Sequence, residues 1–115
     1  MNVSISSIKG YQLVRIEEDL NSETDMESLE SIIIDSINEG RTKVALSFTP
    51  SSFLYGKPLR YLIRFSKEIE KSGGHLAIIE PSKNLRDMLE TLDFALLTKV
   101  YSTEQELGAA KDVAH

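Results

Sequence analysis

Apolar residues recur along the chain with two different periods, and the switching between those periods lays out the elements. Val3 and Ile5 alternate with polar neighbours, Lys9-Gly10 interrupts, and Tyr11, Leu13, Val14 and Ile16 form a second run. Period-two alternation on both sides of a glycine turn predicts a hairpin, and the acidic stretch Glu17-Glu18-Asp19 ends it. The period then changes. Met26, Leu29, Ile33 and Ile37 are spaced as on one helix face, with Ile32 and Ile34 broadening it. Thr24 and Glu27 have capping-box spacing ahead of that helix, and Gly40 is placed to end it.

The remainder repeats this alternation of strand and helix. Lys43–Phe48 is short and mostly apolar, as in a strand buried on both faces. A polar and aromatic loop follows from Thr49 to Gly56, and Pro58 suits the first residue of a helix, where its missing N–H is not needed. Leu59, Leu62, Ile63 and Ile69 mark the buried face of that helix, Tyr61 and Phe65 are read as partly core, and Gly73-Gly74 stops it. His75–Ile79 reads as a second buried strand. Ser82 is placed to cap a helix with an apolar face of Leu85, Met88, Leu89 and Leu92. Leu96 to Tyr101 gives a last strand, and Thr103 with Glu106 repeats the capping-box spacing before a short closing helix.

The predicted order is β-β-α-β-α-β-α-β-α. This is an α/β fold: a mixed, mostly parallel sheet of about five strands with an N-terminal hairpin, packed with about four helices. At 115 residues, with no linker or low-complexity stretch, the chain is expected to be one domain over 1–115.

Composition narrows the chemistry. The chain has no cysteine, which excludes disulfides, cysteine–zinc sites and thiol nucleophiles. A formal net charge of −5 without a concentrated Lys/Arg cluster argues against nucleic acid. The longest apolar run is Ile32-Ile33-Ile34, against the ~20 residues a bilayer crossing needs, so no direct membrane insertion is expected and the expected setting is the cytoplasm. No metalloprotease, nucleophile-elbow, dinucleotide or phosphate-loop word is present, and the two histidines, His75 and His115, join no catalytic set. Gly73-Gly74 leads into a strand, whereas phosphate capture wants a helix N-terminus next. The expectation is a non-enzyme with no cofactor and no metal.

From Val44 to Leu107 the chain resembles the STAS family, the bacterial anti-sigma factor antagonists. The words that carry the resemblance are VALSFTPSSFLYGKPLR, SGGHLAIIEPS and VYSTEQEL, in the family's order of buried strand, loop, helix, Gly-Gly turn, strand and acidic closing segment. The earlier hairpin and helix correspond as well. The resemblance implies a STAS-like fold and a regulatory module that binds a protein partner, such as an anti-sigma factor kinase-like or other signalling protein. The family's loop ends in Asp-Ser-Ser-Gly-Leu, whose first serine accepts phosphate. Here the word is Tyr55-Gly56-Lys57-Pro58-Leu59. Gly56 takes the phosphoacceptor's place and has no hydroxyl, so the resemblance implies a degenerate phosphosite that phosphate cannot switch.

On this reading the partner surface comprises Ser52, Tyr55, Gly56, Lys57, Arg60 and Arg64. Each carries a plainer alternative. Ser51 and Ser52 are either displaced phosphoacceptors or loop serines bonded to nearby backbone. Tyr55 is either an interface anchor or packed on the sheet. Lys57, Arg60 and Arg64, at spacings of three and four, are either a strip for an acidic partner or a solvated helix face. Phe53, Leu54, Leu59 and Leu62 line a homo-oligomer seam or fill the core. A different class of role stays open too: an adaptor or scaffold subunit of a signalling assembly or transporter complex.

Overall fold

The computed structural model describes residues 1–91 and 98–107. Its strands are β1 (Val3–Ile8), β2 (Tyr11–Ile16), β3 (Lys43–Ser47), β4 (His75–Ile79) and β5 (Thr98–Tyr101), and its α-helices are α1 (Glu27–Asn38), α2 (Lys57–Lys71) and α3 (Lys83–Thr91). The strands lie in one sheet in sequence order, β1-β2-β3-β4-β5. β1 pairs with β2 antiparallel, and the other three pairings are parallel.

Sequential order has a consequence for layering. Right-handed crossovers that always step in the same direction place every connecting helix on the same face of the sheet. The core follows that rule. Val14, Ile16, Val44, Leu46, Leu76 and Ile78 turn to the helical side and meet Leu29 and Ile33 of α1, Leu62, Phe65 and Ile69 of α2 and Leu89 of α3. The alternate residues Leu13, Ala45, Ala77 and Ile79 form a smaller cluster on the opposite face, with Tyr11, Tyr101 and Leu107. Arg15 reaches from that face to Glu104 through two hydrogen bonds of 2.7 and 2.9 Å, tying the C-terminal segment to β2.

Most expected elements agree with the structure to within a residue, and three local features differ. The Thr24–Glu27 capping box does not form. Met26 is buried in the core and stands immediately before α1, so the Thr24 hydroxyl instead accepts the Asn21 N–H in the preceding turn, and Asp25 accepts the Glu27 N–H. Pro58 is the second residue of α2, still within the turn whose N–H groups have no helical acceptor. The expected fourth helix is, over the described residues, a single 3₁₀ turn at Glu104–Glu106, with the Thr103–Glu106 capping box formed as the spacing predicts. Leu92, Leu96 and His115 lie outside the described residues, and Gly74 is required where it stands because a Cβ there would sit 1.9 Å from the Thr42 carbonyl oxygen.

Candidate functional site

The loop from Thr49 to Gly56 leaves the C-terminal end of β3 and is fastened from below. Ser52 is buried, and its Oγ accepts the Leu20 N–H at 2.9 Å. Leu20 returns its carbonyl to the Phe53 N–H at 2.7 Å. The Thr49 hydroxyl bonds both Ser52 Oγ and the Asp19 carboxylate. Leu54 is fully buried.

With positions 52 and 54 held inward, positions 53 and 55 are driven out. The segment behaves as a short extended stretch whose alternate side chains face opposite ways. Phe53 and Tyr55 are each 47% exposed, and their rings lie 5.3 Å apart at 48°. Two aromatic rings in water beside each other are held there by their neighbours' burial.

Gly56 follows at the N-cap of α2 with φ 70° and ψ −123°, and its carbonyl accepts the Arg60 N–H at 3.0 Å. Residues with a Cβ rarely adopt that backbone conformation. Open space surrounds the position where a Cβ would be. The glycine is therefore demanded by backbone geometry and not by crowding.

The basic residues of α2 extend further than the sequence reading took them. Lys57, Arg60, Arg64, Lys67 and Lys71 follow one another at steps of three and four, a single line along the exposed helix face. Lys67 and Lys71 were missed, although the same periodicity reveals them. The line is not uniform. Arg64 pairs with Glu30 of α1 and lies over the Tyr61 ring, 4.7 Å from its centroid. Lys71 lies 3.8 Å from Glu68. Among the described residues, neither Lys57 nor Arg60 takes part in an ion pair.

The predicted site residues thus divide. Tyr55, Gly56, Lys57 and Arg60 come together at the start of α2. Arg64 is one turn beyond Arg60 and is engaged with α1. Ser52 does not belong to the surface, and its expected partner-facing role is corrected by its burial: its hydroxyl is a structural acceptor for Leu20. Leu54 and Leu62 fill the core, Leu59 is partly buried, and Phe53 joins the exposed surface.

A residue the sequence reading passed over lies at the same pole. Glu80 continues β4 by one position and is fully buried. Its Oε2 accepts the Ser82 N–H at 3.0 Å, while Oε1 has no hydrogen-bond partner among the described residues. Burial pushes this carboxyl above its ordinary range, opposed by the Ser82 amide and by Arg86. An acid directly after the apolar run Leu76–Ile79 was the available signal. Among the described residues, no group of three His, Asp or Glu is placed to hold a metal ion, and no helix is long and apolar enough to cross a membrane.

A one-sided helical layer on a hairpin-led parallel sheet, with a loop at the strand ends leading into α2, is the architecture of a STAS domain. The sequence matches the STAS domain family over residues 2–107, and the chain belongs to that family. Solved structures agree on the fold. A candidate anti-sigma factor antagonist from Thermotoga maritima superposes with a TM-score of 0.75 at 20% identity, covering 98% of this chain and 95% of that one. The phosphorylated form of the Bacillus cell-fate determinant SpoIIAA gives 0.67 at 18% identity, covering 97% and 99%. No curated protein sequence matches significantly.

Proposed function

We propose that this chain is a non-catalytic regulatory module that captures a protein partner on the surface formed by Phe53, Tyr55, Lys57 and Arg60. The observation that carries the reading is the pinned alternation at 52–55, which keeps two aromatic rings in water just ahead of the helix start that carries Lys57 and Arg60, neither of which takes part in an ion pair among the described residues. Tyrosine and arginine are the residue types that most often dominate interface energetics. Membership of the STAS family and the fold shared with anti-sigma factor antagonists support a partner of that signalling class, an anti-sigma factor kinase-like protein first among them.

Regulation at position 56 differs from a phosphoserine switch. Gly56 offers no hydroxyl to a kinase, and its backbone conformation excludes an easy return to serine. The module is therefore constitutively competent at this position, with control exerted through its abundance or its partner's. Its setting on this reading is the cytoplasm.

The test uses purified anti-sigma factor kinase-like proteins and titration calorimetry. Tyr55→Ala and Arg60→Glu should each weaken capture by roughly thirtyfold or more, the loss of a hot spot worth about 2 kcal/mol. Both should leave circular dichroism unchanged. Undiminished capture by both variants overturns this surface.

A further inference from the structure

The two edges of the sheet are built differently. β5 is four residues long and carries the exposed Lys99 in its interior. Short length and an edge lysine are the usual devices that stop a strand from recruiting another. β1 has neither. Its six residues, Val-Ser-Ile-Ser-Ser-Ile, include no charge and no proline, and the register with β2 runs unbroken from Val3↔Ile16 to Ile8↔Tyr11, without a bulge. Ile5, at its middle, is 51% exposed.

The backbone directions follow from the ladder. The Glu17 N–H donates to the Asn2 carbonyl at 2.8 Å, continuing the β1–β2 register by one pair. Hydrogen-bonded pairs alternate in an antiparallel ladder. Asn2, Ser4, Ser6 and Ile8 therefore direct their backbone groups toward β2, while Val3, Ile5 and Ser7 direct theirs out of the sheet. That outward set is symmetric about Ile5.

We infer that β1 pairs antiparallel with β1 of a second copy of this chain, about a two-fold axis at Ile5. Val3 then faces Ser7 of the partner subunit, Ile5 faces Ile5 of the partner subunit, and each pair exchanges both N–H···O bonds. A strand whose outward groups are symmetric about its centre is its own complement under a two-fold rotation, which is why a copy of the same chain is the occupant that fits. No charge on either strand opposes the approach, and the two half-exposed isoleucines cover one another. The lysine-bearing β5 edge keeps the pairing closed as a dimer. β1 is at one edge of the sheet while α2 lies over β4, so both copies keep the loop and the start of α2 open.

The absence of native cysteine makes the test specific. In the paired state, Ile5→Cys places its two thiols on Cα atoms about 5.5 Å apart, inside the roughly 4.4–6.8 Å range that a disulfide spans. Ser7→Cys separates its thiols by four register steps, roughly 14 Å. The expected results are a dimer by light scattering and an Ile5→Cys variant that cross-links under mild oxidation while Ser7→Cys does not. Ile5→Lys should be a monomer with unchanged circular dichroism, and the Val3, Ile5 and Ser7 amides should exchange slowly only in the dimer. A parent chain that stays monomeric to its solubility limit overturns the inference. So does a dimer that survives Ile5→Lys, or equal cross-linking by both cysteine variants. Partner capture through Tyr55 and Arg60 is read separately, so either result stands without the other.

Discussion

The loop at Ser52–Tyr55 and the edge strand Val3–Ile8 both hold apolar side chains in water, by different means. In the loop, the backbone is committed inward: Ser52 and Phe53 exchange hydrogen bonds with Leu20, Leu54 is swallowed by the core, and what remains outside is side chain. On the edge, half of the side chains are small hydroxyls, and the groups turned out of the sheet are the N–H and C=O of Val3, Ile5 and Ser7. A surface of the first kind recognises through shape and aromatic contact. A surface of the second kind recognises through main-chain pairing, which is tolerant of sequence and well suited to a copy of itself.

Substitutions separate the two surfaces by how far each reaches into the fold. Leu54→Ala should be the most damaging, about 2–5 kcal/mol by denaturant unfolding, because it empties a closed site beneath the loop. Gly56→Ser should follow at about 1–3 kcal/mol, since a side chain is forced into a conformation glycine alone adopts freely. Gly56→Ala should lose as much, showing that backbone and not the hydroxyl is responsible. Ser52→Ala should lose about 1–3 kcal/mol by leaving the buried Leu20 N–H without its acceptor.

A pH measurement probes the same pole. The Glu80 carboxyl is raised in the folded chain, so folding favours its proton. Its effect on stability is therefore absent below the ordinary carboxylate value and grows unfavourable as pH rises through the folded one. Glu80→Gln should be more stable than the parent at neutral pH and lose that advantage in acid, as followed by thermal unfolding across pH. The smallest effects belong to the exposed positions. Tyr55→Ala and Ile5→Lys should each shift stability by less than about 0.5 kcal/mol, although each removes a feature of a proposed recognition surface. A large loss from either would show that its surface is structural.

Much of the architecture was legible because local signals agreed with the tertiary outcome. The hairpin, the helical faces of α1 and α2, the glycine stop after α2 and the Thr103–Glu106 capping box all depend on neighbours within a few residues. The site was less legible. Tyr55, Gly56 and Lys57 were singled out through the resemblance to the family's loop word and Arg60 through helix spacing, and Lys67 and Lys71 were within reach of the same periodicity. Ser52 was not. Its role is decided by a backbone amide 32 residues earlier in the chain, and nothing in Pro50-Ser51-Ser52 reveals that contact. The Thr24 capping box failed for a related reason: the burial of Met26 outweighed a local hydrogen bond.

Gly56 shows the division most clearly. The residues alone establish that no hydroxyl stands at the start of α2, because that is a matter of covalent chemistry. Only the folded chain reveals that φ is positive there, and hence that glycine is needed, because a dihedral angle is set by where both flanking segments are anchored. In the same way, period and composition determined strands, helices and an uncharged first strand. Which strand became an unprotected edge, and which loop side chains were held in water, followed from long-range packing, whose free energy belongs to contacts between residues far apart in the chain.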